Sequence, residues 1–265
     1  MQNSLIQQKK SEVSRTSRSV LALILREMAT TYGRSPGGYI WAIVEPVAAI
    51  ALLSLVFGVV MRTPPLGNSF PLFYATGYLP FTLYTDVAGK CGSAIKFSRP
   101  LLAYPRVSFI DTILARYLLN TLTQVLVFYI IVTGILTLTD ARAVLDLPSV
   151  GLGLLLASFL GVGIGCLNCY LTMEFPIWAT IWSIINRPMF LISGIFFLYD
   201  DMPRFAQDIL WYNPLLHVVG LTRSGFYATY DATYVSLPYV VSIAGVSLIL
   251  GLLLLRRNYK RLLQK

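Results

Sequence analysis

The residue that asks most of its surroundings is Arg187, a guanidinium placed about ten residues into the apolar run 177–198, about 15 Å along a helix that rises about 1.5 Å per residue. A charge at the centre of a membrane helix costs roughly 2.5–3.5 kcal/mol on insertion scales. It therefore needs either a carboxylate partner, for which Glu45 in the run 39–61 is the candidate, or an anionic ligand passing a cavity. The sequence leaves both open. Aromatic side chains are the second resource: sixteen Tyr, fourteen Phe and four Trp. Phe73, Tyr74, Tyr78, Phe81 and Tyr84 cluster in one run, Trp178 and Trp182 in another, and Tyr39 and Trp41 stand near Glu45. Such faces stack on flat apolar rings while phenol and indole groups reach hydroxyls. Tyr and Trp also crowd membrane interfaces, which accounts for many of them without any ligand.

Other chemistries lack their residues. The Gly-Lys pair at Gly89-Lys90 is followed by Cys91, so no GxxxxGK[ST] phosphate cradle exists and the chain has no ATP site of its own. Cys166 and Cys169 form a CxxC within an apolar, glycine-rich run, without a nearby histidine or a second pair, and are expected to be buried thiols. His217 has no Asp, Glu or Cys neighbours and is expected to hydrogen-bond locally rather than bind metal. Asp86 and Asp111, beside Lys90 and Arg116, are expected to form local ion pairs.

The elements that carry these residues are membrane helices. The composition is 56% hydrophobic and 12% charged with a mean hydropathy of +0.67, which leaves too little polar surface for a soluble globule. The first apolar run, Val20–Leu25, is too short for a secretory signal. Six spans are expected near 39–61, 71–90, 109–138, 150–173, 177–198 and 237–255, each close to the roughly 20 residues that cross hydrocarbon. Short connections at 62–70 and 139–149, with Pro64-Pro65-Leu66-Gly67-Asn68 and Asp146-Leu147-Pro148, are expected to be tight hairpin loops. Gly161 and Gly165 have the spacing that lets helices approach closely.

Charge sets orientation. Sixteen of the 21 basic residues fall before the first span, between the second and third, or after the sixth, so both termini are expected to be cytoplasmic. The same distribution argues against nucleic acid as the partner of the +9 net charge. The chain then divides into a flexible tail at 1–18, an amphipathic interface helix at 19–34, a six-helix transmembrane domain at 39–255 and a basic tail at 256–265. Leu21, Ile24, Leu25, Met28 and Tyr32 form the apolar face of the interface helix, and Ser35-Pro36-Gly37-Gly38 turns the chain after it. Within the outer connection 199–236, Ile209–Leu221 is apolar but too short to cross and is expected to form a re-entrant hairpin. On the inner side, Ala94–Asp111 is basic and expected to break at Pro100 and Pro105.

Ordered blocks along the chain carry a resemblance. Arg26-Glu27, Tyr32-Gly33, Gly38-Tyr39, Trp41-Ala42 and Glu45-Pro46, followed by FPLFYATGYLPF at 70–81, LLAYPRVSFIDTILAR at 101–116, EFP at 174–176, RPMFLISGIFF at 187–197 and WYNPLLHVVGLTRSGFY at 211–227, resemble the membrane subunit of type-2 ABC exporters. The likeness is greatest to the capsular polysaccharide export permeases. It implies an all-α membrane protein with six spans per subunit, a homodimer, two separate ATPase subunits that bind ATP and Mg, and short re-entrant helices before the last span. It also implies a lipid-linked polysaccharide as substrate, a periplasm-spanning polysaccharide co-polymerase-type protein and an outer-membrane export protein as partners, and a bacterial inner-membrane location.

Three segments on the basic side are expected to face the ATPases. They supply Arg26, Glu27 and Tyr32, then Lys96, Phe97, Arg99, Tyr104 and Arg106, then Glu174, Phe175 and Pro176. The substrate path is expected to use Tyr39, Trp41, Glu45, Tyr74, Tyr78, Phe81, Tyr84, Trp178, Trp182 and Arg187, the last of these meeting acidic sugars or lipid phosphate unless it pairs with Glu45. Export of O-antigen or teichoic-acid polymers and small-molecule efflux remain alternatives. An intramembrane enzyme would need a paired acid, a His/Ser dyad or a metal cluster within the spans, and the sequence offers none.

Overall fold

The protein is described by a computed structural model covering residues 17–30, 38–102, 107–139, 141 and 143–264. Every regular element among the described residues is helical. α1 runs 17–30, α2 Gly38–Val60, α3 Phe70–Gly92, α4 Ala94–Leu102 and α5 Phe109–Leu138. After them come α6 Leu147–Glu174, α7 Ile177–Ile192, a 3₁₀ turn Tyr199–Asp201, α8 Arg204–Leu210, α9 Pro214–Ser224 and α10 Leu237–Gln264. Four helices, α2, α5, α6 and α10, are long and apolar enough to cross a membrane. α3 is as long as α2 but carries Asp86 and Lys90, and α7 has only 16 residues.

Local sequence explains most boundaries. Ser69 caps α3, accepting a hydrogen bond from the Leu72 amide, with Pro71 in the first turn. Ser108 and Asp111 form a reciprocal capping box that starts α5. Asn213 caps α9 ahead of Pro214. Pro100 does not end α4: the helix runs through it to Leu102, without the bond an N–H at this position would donate to the Lys96 carbonyl. The basic residues after 255 continue α10 as helix through Gln264.

α3 is the axis of the bundle, buried along most of its length among α2, α5, α6 and α9. With lipid outside as apolar as the helices themselves, close backbone approach replaces hydrophobic drive. A Cβ at Gly161 would lie 2.9 Å from Val87 Cβ, and one at Gly165 would lie 2.7 Å from Cys91 Cβ, so these two glycines seat α6 on α3. Gly163, on the opposite face, would meet the Ala244 carbonyl at 2.3 Å and seats α6 on α10. The three cysteines are free and buried at these contacts.

The two ends of the bundle differ. At one, the loop at 61–69 packs Gly67, with φ of +72°, against Tyr227, and the Asp146 amide donates to the Gly225 carbonyl at 2.8 Å, so both short loops rest on the end of α9. Within the α8–α9 unit the chain breaks at Trp211-Tyr212, and α9 is buried on nearly every side. The opposite end gathers α1, α4, the α6–α7 turn and the last turns of α10.

Candidate functional site: two polar cavities and the surface beneath them

α2 buries Pro46 and Ile50 alone, and α7 buries no residue among those described. Between these helices and α3 lie two cavities. The larger, about 610 Å³, is lined by Trp41, Glu45, Tyr78, Asp86, Lys90 and Gln124, among others. The smaller, about 380 Å³, holds Tyr84, Trp182, Asn186 and Arg187. Phe81, Thr85 and Phe190 belong to both and form the wall between them.

Pro46 helps make this region polar. Pro46 in α2, Pro80 in α3 and Pro188 in α7 each lack an N–H, so the carbonyl four residues earlier loses its helical donor. For Pro46 that carbonyl belongs to Ala42, which lines the larger cavity.

Seven of the ten expected path residues thus meet at the cavities: Trp41, Glu45, Tyr78, Phe81, Tyr84, Trp182 and Arg187. Trp178 stacks on Trp182 with centroids 6.5 Å apart and donates to Asn168 at 2.9 Å, beside the site rather than in it. Tyr39 is 43% exposed near the start of α2. Tyr74 is elsewhere: fully buried, it packs against Phe57, Phe73 and Phe196.

Arg187 and Glu45 do not pair. The ion pairs among the described residues are Glu27–Arg116 and Glu174–Arg261, and Arg187 and Glu45 line different cavities on either side of the Phe81–Phe190 wall. The expected ion pairs of Asp86 and Asp111 are also corrected. Asp86 accepts a hydrogen bond from Gln124, with Lys90 sharing the cavity, and Asp111 accepts the Ser108 amide at 3.0 Å as part of the cap.

At the basic end, Arg116 of α5 joins four helices. It pairs with Glu27 of α1 at 3.1 Å, donates to the Lys90 carbonyl and Ser93 Oγ at the end of α3, both at 2.8 Å, and lies 4.1 Å from the centroid of Phe97 in α4. Arg26 approaches the same ring at 5.4 Å. Lys90 therefore has its carbonyl in this cluster and its side chain in the larger cavity.

α10 completes the surface. Arg99 of α4 donates to the Leu263 carbonyl at 2.7 Å, and Arg261 pairs with Glu174 at 2.8 Å. Lys96, Phe97 and Arg99 are exposed, as are Phe175 and Pro176 in the α6–α7 turn. Tyr32, Tyr104, Arg106 and the turn at Ser35-Pro36-Gly37 lie outside the described residues. The face of α1 that packs is Val20, Leu23 and Glu27, a spacing of three and four, while Leu21 and Leu25 are each 58% exposed. Glu27 faces inward because Arg116 awaits it.

One basic residue of the outer connection, Arg223, lies inside the bundle. It is 1% exposed, with its guanidinium 4.1 Å from the Phe73 centroid and donating to the carbonyls of Gly194, Ile195 and Phe197 just past α7. His217 is held nearby by the Trp211 carbonyl at 2.8 Å on Nε2 and by the Ser236 amide, which donates to Nδ1 at 3.2 Å. That pair of bonds fixes a neutral ring protonated at Nε2, and burial lowers its pKa.

The family described as "ABC-2 type transporter" matches residues 18–227, spanning α1 through α9. The chain belongs to that family. It is 33% identical over 245 residues to a polysialic acid transport protein of Escherichia coli, covering 92% of this chain and 95% of the relative. It is 30% identical to a capsule polysaccharide export inner-membrane protein of Neisseria meningitidis, with 92% of each chain covered. A capsule polysaccharide export inner-membrane protein of Haemophilus influenzae is 26% identical with 95% of each covered. The family membership is that of a membrane-embedded transporter subunit, in agreement with the apolar helices of the bundle.

Proposed function

We propose that this chain is the transmembrane subunit of an ATP-driven exporter that moves a lipid-linked capsular polysaccharide outward across the inner membrane. The observation that carries it is the pair of aromatic-lined cavities with polar side chains that lie between α3 and two helices, α2 and α7, which bury almost nothing within the chain. Apolar faces so uncovered suit a second copy, and a homodimer joined there would place two sets of cavities along one path. Aromatic faces grip sugar rings, and Arg187, with no acidic partner among the described residues, suits an acidic glycan or a lipid phosphate, in keeping with a relative named for polysialic acid.

In this assembly α3 and α7 cross the membrane with α2, α5, α6 and α10, α8–α9 form the re-entrant hairpin, and both termini are cytoplasmic. Separate ATPase subunits bind ATP and Mg and dock on α1, α4, the 174–176 turn and the end of α10. The cluster around Arg116 links that surface to the cavity through Lys90. The opposite end, around α8 and α9, faces a periplasm-spanning co-polymerase-type protein that leads to an outer-membrane export protein. O-antigen is the second substrate class, in keeping with a local match, 32% identical over 87 residues and covering 33% of each chain, to an O-antigen export permease of Myxococcus xanthus.

The test is Arg187→Met, read in cells for surface polysaccharide and in detergent for dimer and co-purified ATPase. Loss of export with assembly intact is expected. Loss of the dimer would make Arg187 a structural residue, and unchanged export would remove it from the path.

A further inference from the structure

Away from the cavities and the coupling cluster, α5, α6 and α10 enclose a groove of about 260 Å³. Phe159, Val162 and Cys166 of α6 form its floor, with Ile113 and Tyr117 of α5 and Leu248 and Leu252 of α10 as walls. Ile110 and Leu114, on its rim, are 51% and 37% exposed. Toward the basic end α5 and α10 converge at Phe109 and Tyr259, whose ring centroids are 5.2 Å apart. Arg256, exposed, stands one turn beyond Leu252, about 6 Å along α10.

Three features select an occupant. The lining carries no charged side chain, so sugars and headgroups do not belong inside it. The volume falls below the range of about 300–1,000 Å³ usual for small-molecule sites, and a helix about 10 Å across is too wide for it. Its depth is right for a lipid tail: Cys166 lies eight residues before the end of α6, about 12 Å, within the roughly 15 Å of one leaflet's hydrocarbon.

We propose that this groove holds one acyl chain of an anionic phospholipid from the leaflet at the basic end, with the lipid phosphate on Arg256. The guanidinium supplies fork-shaped donors for phosphate oxygens, and Tyr259, half-buried at the mouth, offers a hydroxyl at the same level. The lipid fills the gap that α5 and α10 leave over α6, and so supports the helix whose far side carries α3.

The full chain in nanodiscs of phosphatidylglycerol and phosphatidylcholine, released for native mass spectrometry, tests this. Retained phosphatidylglycerol in preference to phosphatidylcholine is expected, and Arg256→Gln should reduce its retention about fivefold, the equivalent of roughly 1 kcal/mol for one basic residue at an anionic surface. Leu252→Trp should displace the lipid from a dimer that still forms, whereas Leu253→Trp, on the exposed face, should not. Equal retention of both lipids, indifference to Arg256→Gln and Leu252→Trp, or a further protein copy in the groove would overturn the proposal.

Discussion

Glu27 of α1 and Arg116 of α5 are joined by an ion pair at 3.1 Å whose side chains are 6% and 5% exposed, and the same guanidinium binds the last turn of α3. α1 is thereby anchored to the helix that walls the cavities.

Removing one partner of such a pair leaves the other buried and unpaired, a loss of about 3–5 kcal/mol. Glu27→Ala should free α1 from the bundle, raising amide exchange across 17–30 and weakening retention of the ATPase on purification. Glu27→Asp should retain most of both. Unchanged exchange in Glu27→Ala would mean that apolar packing of Val20 and Leu23 suffices to hold α1.

Arg99, Arg106 and Glu174 lie in the segments assigned to the ATPase interface, and Arg99 and Glu174 are tied to one another through α10. Charge reversal of the three together should abolish ATPase co-purification. A complex that forms and exports normally would place the ATPases elsewhere.

Arg223 should be among the residues least tolerant of change. Hydrogen bonds from a charged donor contribute about 1.5–3 kcal/mol each, and it makes them to the carbonyls of Gly194, Ile195 and Phe197. Arg223→Met should lower the melting temperature of the purified subunit by several degrees or prevent its accumulation, whereas Arg204→Met, on exposed α8, should do neither.

His217 gives the fold a pH dependence. Its pKa is lowered in the folded chain from 6.5, so the unfolded chain takes up a proton first as pH falls. Its contribution is complete above about pH 6.5 and declines as the medium is acidified toward the lowered folded value. Thermal melts from pH 8 to 5 should show this loss, and His217→Gln should lower stability at neutral pH while flattening the acid-side slope. An unchanged slope would assign the acid sensitivity to other groups.

Much of the architecture was legible because it rests on local signals. The long apolar runs and the Gly161/Gly165 spacing each specify an element or a contact through nearby residues. Aromatic and charged positions in the spans also pointed to the cavities, since Trp41, Glu45, Tyr78, Phe81, Trp182 and Arg187 line them. What the sequence hid were pairings across the chain. Glu27 and Arg116 are 89 positions apart, and Arg223 finds its acceptors 26–29 positions upstream, in carbonyls that no side-chain pattern advertises. The face by which α1 packs was hidden for the same reason: nothing near Glu27 in the sequence announces that Arg116 draws in the side that carries it.

The most direct test of the account is the structure of the chain bound to its ATPase in nanodiscs with the native glycolipid added. Extended glycan density between two copies, running past α2 and α7 and touching Arg187 and the Phe81–Phe190 wall, is the predicted result. A closed cavity holding a small molecule, or glycan density that avoids α2 and α7, would contradict it.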